Sequence, residues 1–219
     1  MGLRRRIATT FAASAAAAGM AVGLAAPATA LSDDETGQFL GKLTATYNDP
    51  TVSSDGNPYD FDIVTKAALV TGADKTLASL GSFTLFAPND RAFEVTANNL
   101  GLLGKNYKYS AKVDEGRVFN AIANSGVDVT EILLYHVIPN AKVTGKQVLS
   151  GPFTQRIDMA NQEKLRVTVL SRSPRFPVIV LGDKDGRVFN DLVVRPDVIS
   201  TENTVVHSVS DVLLPDLQN

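Results

Sequence analysis

The 219-residue chain carries 21 basic and 23 acidic residues, two histidines and no cysteine, and 44% of it is apolar. Without cysteine there is no disulfide, no thiolate nucleophile and no thiolate metal site, so any chemistry falls to oxygen and nitrogen groups. The slight acidic excess, with no clustered basic face, argues against a nucleic-acid binder.

Arg4, Arg5 and Arg6 form a charged start, an alanine-rich apolar stretch follows from Ile7 to Ala26, and Ala28-Thr29-Ala30 makes a small-residue cleavage site. Residues 1–30 read as a signal peptide and not as an anchor, because alanine is a weak membrane residue. The mature chain then starts at Leu31, is secreted, and has the cell wall as one destination. It keeps 18 basic against 23 acidic residues, and a chain of its size buries about 70% of the surface its unfolded form exposes. Residues 31–58 are polar and turn-rich, with Asp33, Asp34, Glu35 and later Asp55-Gly56-Asn57-Pro58. They read as an N-terminal arm.

From Asp60 the pattern turns helical. Asp60 is placed to cap a helix in which Ile63, Val64, Ala67 and Ala68 recur at helical spacing. A second short helix is expected from about Asp74 to Leu80, with Gly81 at the left-handed position past its end. Thr84–Ala87 reads as a short buried strand stopped by Pro88. Asn89 and Asp90 are N-caps for the segment carrying Ala92 and Phe93. The stretch 98–117 reads as an irregular insertion. Helical period returns from Val118 to Ile122 and from Thr130 to Tyr135.

After Pro139 the period becomes two. Leu165, Val167 and Val169 alternate with Lys164, Arg166 and Thr168. Val178–Leu181 and Val188–Val194 flank a turn at Gly182–Gly186, and a last strand is expected from Thr204 to Leu214. Helices followed by strands predict an α+β domain with a mostly antiparallel sheet. The pentapeptide GRVFN occurs at 116–120 and 186–190, too short and too differently placed to be a structural repeat.

Three blocks resemble the fasciclin domain family. They are Phe83–Phe93 (FTLFAPNDRAF), Leu134–Ile138 (LYHVI) and Asn203–Pro215 (NTVVHSVSDVLLP), in the family's order and covering about residues 59–217. The resemblance implies a wedge of two small antiparallel β-sheets with a group of α-helices packed alongside. It implies roles in cell adhesion and in matrix or cell-wall contact, and occasionally the carrying of small apolar ligands. In some animal members the Tyr-His element is linked to receptor binding, so the resemblance nominates Tyr135 and His136 as binding residues. The segments 98–117 and 171–197 are longer than in compact members.

The residues themselves point the histidines inward. Val129, Ile132, Leu133 and His136 share a helical stripe, and His207 shares a strand face with Val205 and Val209. A buried imidazole or tyrosine is ordinarily kept for its hydrogen bonds.

No G-x-S-x-G occurs for a serine hydrolase. The histidines lie 71 positions apart, which excludes H-E-x-x-H. Gly101–Lys105 lacks the spacing of a phosphate loop, and Asp183 and Asp185 read as a hairpin tip and not a calcium loop. No cofactor, metal or catalytic residue is expected. The expectation is a secreted, non-catalytic adhesion or interaction module whose partner is a cell-surface or cell-wall protein or glycan. The alternative is a soluble carrier of a small apolar ligand. A third is a carbohydrate-active enzyme with paired carboxylates, whose separation is spatial and not sequential.

Overall fold

The computed structural model describes Phe39, residues 55–184 and residues 191–216. The expected signal peptide, most of the expected arm, the far side of the 182–186 turn and the second GRVFN copy lie outside the described residues.

Helix α1 (Asp62–Thr71) ends at Gly72, whose φ of +74° places it in the left-handed region. The same glycine opens α2 (Ala73–Ser79), and Gly81 is left-handed just beyond, as expected. The expected capping of α1 by Asp60 does not occur. Phe61 takes the N-cap position ahead of α1 and offers no side-chain cap. Instead the Ile63 N–H donates to Oδ1 of Asp90, 3.0 Å away on another helix. The Asp60 backbone carbonyl accepts the Asp90 N–H at 3.1 Å, and its side chain meets Asp90 and Asn57.

Strand β1 (Phe83–Pro88) leads into α3 (Asp90–Asn99), capped as expected by Asn89 on the Ala92 N–H at 2.9 Å. Helix α4 (Glu115–Ala123) starts three residues before the expected point, because Asp114 accepts from the Arg117 N–H and caps it. Asp128 caps α5 (Val129–Tyr135) in the same way, and β2 (Val137–Pro139) follows directly.

Helix α6 (Gly145–Ser150) falls where only strand period was expected. Its sign was Thr144-Gly-Lys-Gln147, a capping box in which each end residue's side chain accepts the other's backbone N–H. Then come β3 (Thr154–Asp158), β4 (Lys164–Arg172), β5 (Pro177–Gly182), β6 (Asp191–Ser200) and β7 (Thr204–Val209). In β4 the expected alternation holds, with Leu165, Val167 and Val169 buried. Strand β7 stops at Val209, short of the expected Leu214. Beyond it the backbone leaves the ladder for side-chain acceptors. Leu213 N–H goes to His136 and Leu214 N–H to Asp183.

The strands join in the order β2-β1-β7-β6-β5-β4-β3, so the expected pair of small antiparallel sheets is corrected to one seven-stranded mixed sheet. Two causes are visible. Strand β6 belongs to both halves, pairing at Asp191 and Leu192 with β5 and from Val193 to Ser200 with β7. Its register shifts let it bend between them. Strands β1 and β7 run parallel, in register from Phe83–Thr204 to Pro88–Val209. The Ala160 N–H beyond β3 donates to the Val137 carbonyl in β2 at 2.8 Å. The two edges of the sheet thereby approach, and the sheet nearly closes into a barrel.

Two cores result. One lies between helices and sheet and includes Phe61, Val64, Phe83, Leu85, Phe93 and Val206. The other fills the barrel with Phe86, Tyr135, Leu165, Leu181, Val209 and Leu213. Strands β1 and β7 are buried along their whole length because they wall both cores. Each large apolar side chain so buried contributes about 1.5–3 kcal/mol.

Candidate functional site

His136 follows the last turn of α5 with 1% of its surface exposed. Its Nδ1 lies 2.8 Å from the Ile132 carbonyl, and its Nε2 accepts the Leu213 N–H at 2.9 Å. These partners fix the neutral tautomer with the proton on Nδ1. Burial lowers its pKa to about 4, against the opposing hydrogen bond to Ile132. His207 on β7 is equally buried. Its Nε2 donates to the Val143 carbonyl at 2.8 Å, and its Nδ1 accepts the Asp197 N–H at 3.0 Å. Burial lowers its pKa too, although the Asp197 carboxylate opposes the shift from 3.6 Å. Neither imidazole has a ring nitrogen left for a metal or a substrate.

Phe86 joins the two. Its N–H donates to the His136 carbonyl at 2.9 Å, and its ring centroid lies 5.6 Å from that of His207. Tyr135 is wholly buried in the barrel core, and its hydroxyl reaches the Lys164 carbonyl at 3.4 Å. Burial raises its pKa, with the Asp183 and Glu163 charges adding to the rise. The structure therefore brings Tyr135, His136 and His207 into one internal fastening. It presents neither Tyr135 nor His136 at the surface.

The exposed candidate lies at the far end of the β4–β5 hairpin. Phe153, Leu170 and Phe176 are 64%, 56% and 74% exposed. The Arg172 guanidinium lies 3.9 Å from the centroid of the Phe153 ring and donates to the Gly151 carbonyl. Leu170 sits at an irregularity in the β4–β5 register between Val169 and Ser171, and the Ser171 hydroxyl donates to the Phe176 carbonyl at 2.7 Å. Phe153 and Phe176 belong to no motif and no period, so the sequence alone did not single them out.

The family model of the fasciclin domain matches residues 60–215. The chain belongs to the fasciclin domain family. Its three motif blocks form β1, the α5–β2 junction and β7 with its extension, which meet around Phe86 and the two histidines. Fasciclin domains are generally non-catalytic adhesion and interaction modules, typically extracellular. Among solved structures the chain is similar to the FAS1 domain pair of the insect cell adhesion molecule fasciclin I. The identity is 17% and the TM-score 0.47, over 70% of this chain and 43% of that one. No curated protein matches the chain significantly. No helix among the described residues is long and apolar enough to cross a membrane.

Two further places in this fasciclin domain bear on ligands. The gap beside Phe86, Ile138 and Val148 in the barrel core amounts to about 10 Å³, room for a single water at most. At the start of the helical layer, acidic residues stand at three helix N-termini: Asp62 opens α1, Asp90 opens α3 and Glu115 opens α4. Helix N-termini favour negative charge. Burial pushes the Asp90 carboxyl up to about 10 against its hydrogen bond from Ile63, with the charges of Asp60 and Glu115 adding to the rise. Burial likewise raises Asp60, and the Asp55 charge adds to it. Asp60 was expected as a helix cap, and the other acids of this group were not read together.

Proposed function

We propose that this fasciclin domain is a secreted, non-catalytic adhesion module that docks on a cell-surface protein through Phe153, Leu170, Phe176 and Arg172. The observation that supports this reading is three large apolar side chains held in water at one end of a hairpin, with an arginine stacked on one of them. Aromatic residues and arginine are enriched at protein interfaces and dominate their energetics. Hydrogen bonds to Gly151 and from Ser171 hold the surrounding backbone, so little ordering is needed on docking. Arg172, with Arg175 in the adjoining turn, suits a partner with acidic groups around an apolar centre. The binding role nominated for Tyr135 and His136 is in this reading indirect: they hold the sheet that carries the surface.

The test is binding of the immobilised secreted chain to envelope fractions of its host. The double substitution Phe153→Ala with Phe176→Ala is expected to weaken binding at least tenfold, and protease treatment of the fraction to abolish it. Retention that neither change reduces contradicts the reading. Retention that survives protease but not removal of glycans moves the partner to a glycan.

A further inference from the structure

Helices α3 and α4 are joined by a connection from Leu100 to Asp114 that forms neither helix nor strand. Connections of that length are uncommon in compact domains unless they are disordered or carry a function. This one is ordered by its own bonds. The Tyr107 N–H donates to the Gly104 carbonyl at 3.0 Å, and the Asn98 amide donates to the Tyr109 hydroxyl at 3.0 Å. The Tyr107 and Tyr109 rings meet edge to face at 5.9 Å. The Tyr107 hydroxyl donates to Glu94, a wholly buried acid that also pairs with Arg91.

The folded connection leaves an open cleft of about 370 Å³ against the first turn of α4, walled chiefly by Lys105, Asn106, Tyr107, Lys108 and Arg117. Its charged side chains are all basic, and none of the three makes an ion pair among the described residues. The chain as a whole has an acidic excess, whereas residues 98–117 hold four basic residues against two acidic. Arg117 stands in the first turn of a helix, where a cation is unfavourable. It is held there all the same. Its guanidinium donates to the Leu103 carbonyl at 2.7 Å and lies 5.0 Å from the centroid of the Tyr107 ring. That carbonyl engages one end of the guanidinium fork and leaves further N–H donors for a ligand. Asp114 spends its Oδ1 on the Arg117 N–H at 3.0 Å and is not part of the cleft wall. A cation fixed against the helix dipole, with no acid paired to it, carries a cost that an incoming anion offsets.

We propose that this cleft binds an acidic polysaccharide, taking a carboxylate or phosphate of one unit on the Arg117 fork. Such a fork matches either group through two parallel N–H···O bonds. Lys105 and Lys108 supply point charges for the neighbouring units, and Asn106 brings an amide donor and acceptor for sugar hydroxyls. The wall is mostly polar, so the cleft suits a hydrated ligand and not the small apolar molecule of a carrier. Nucleic acid fits less well. Three cations in one cleft of an acidic chain lack the broad basic face that an extended polyphosphate needs. The site goes beyond the hairpin reading, since it uses none of Phe153, Leu170, Phe176 and Arg172.

The full chain is titrated by calorimetry with a galacturonate hexamer, a glycerol-phosphate hexamer, neutral maltohexaose and inorganic phosphate. Saturable binding of an anionic hexamer is expected, and the hexamer that binds identifies the acidic group. Maltohexaose is expected not to bind, and inorganic phosphate to bind about tenfold more weakly because it meets the fork without the lysines. Two variants are each expected to weaken the hexamer about tenfold. One is Lys105→Ala with Lys108→Ala, both at exposed positions that the fold does not need. The other is Arg117→Lys, which keeps the charge and loses the fork. Lys146→Ala removes an exposed charge on α6 and is expected to leave the affinity unchanged. A folded wild-type chain that takes up neither anionic hexamer overturns the site. So does hexamer binding that the Lys105→Ala, Lys108→Ala chain keeps in full. Phosphate as tight as the hexamer would leave a free anion only, and a thymidylate hexamer tighter than both would replace the glycan by nucleic acid. None of these results involves Phe153 or Phe176, so the hairpin reading stands or falls separately.

Discussion

Two groups of buried polar side chains sit at opposite ends of this molecule's polar accounting. His136 and His207 have every ring nitrogen engaged by a named backbone partner at 2.8–3.0 Å. Asp60, nearly as deeply buried, has as side-chain partners only Asn57 and a second acid, Asp90. A saturated polar group fastens the fold and has nothing left to offer a ligand. Two buried carboxyls side by side cannot both carry charge, and Asp90, pushed up to about 10, holds a proton that it shares with Asp60. The residues that mark the family most clearly thus belong to its internal fastening. Of this acidic pair, Asp90 lies inside the first motif block and Asp60 outside all three.

The largest expected effect tests the fastening. Tyr135→Ala should cost about 4 kcal/mol of stability by urea denaturation, the usual penalty for emptying a large aromatic site. Tyr135→Phe should cost less than about 1 kcal/mol, since the hydroxyl makes a single long bond. A small loss in Tyr135→Ala would mean that the barrel core collapses onto the gap or that the ring is not buried.

The second effect is pH dependence. The folded pKa of His136 is lowered from 6.5 to about 4. Its contribution is therefore whole above pH 6.5 and is lost as pH falls through 4. On the order of 3 kcal/mol should disappear between those limits. Denaturation midpoints across this window check it, and His136→Gln should flatten the slope.

Asp60→Asn should lower the Asp90 pKa from its raised value, because it removes one of the neighbouring charges that raise it while its amide oxygen still accepts the Asp90 proton. An unchanged Asp90 titration in that chain, read by carboxyl NMR, would break the contrast by showing the two carboxyls to be independent. The smallest expected change is in the Phe153→Ala, Phe176→Ala chain. Its stability should stay within about 0.5 kcal/mol of wild type, as befits exposed positions, while its binding to the envelope falls.

Where a signal was local, the sequence could be read. The short helices and their caps at Asn89 and Gly81 follow from residue type and spacing alone, as does the alternation in β4. The inward placement of both histidines was legible for the same reason, from periods of 3.6 and 2. The partners of those histidines were not, since Leu213 and Val143 lie 77 and 64 positions away. The parallel pairing of β1 with β7 likewise depends on chain ends that meet only in space. Helix α6 was legible in its Thr144–Gln147 box but hidden by the strand periodicity around it. The acidic group was invisible as a unit, because Glu115 joins Asp55, Asp60 and Asp62 only once α4 packs beside α1. Asp60 also looked like an ordinary helix cap, a task that the fold gives to Asp90.

The most direct test of the account is a histidine titration followed by NMR on the full chain, reading the ring carbon-bound protons of both imidazoles from pH 8 to 4. The fastening predicts that His136 stays neutral, with its proton on Nδ1, until close to pH 4, where unfolding accompanies its protonation. A His136 that titrates reversibly near 6.5 in the folded chain would show a ring open to solvent. It would return the Tyr135–His136 element to the surface as a direct binding site.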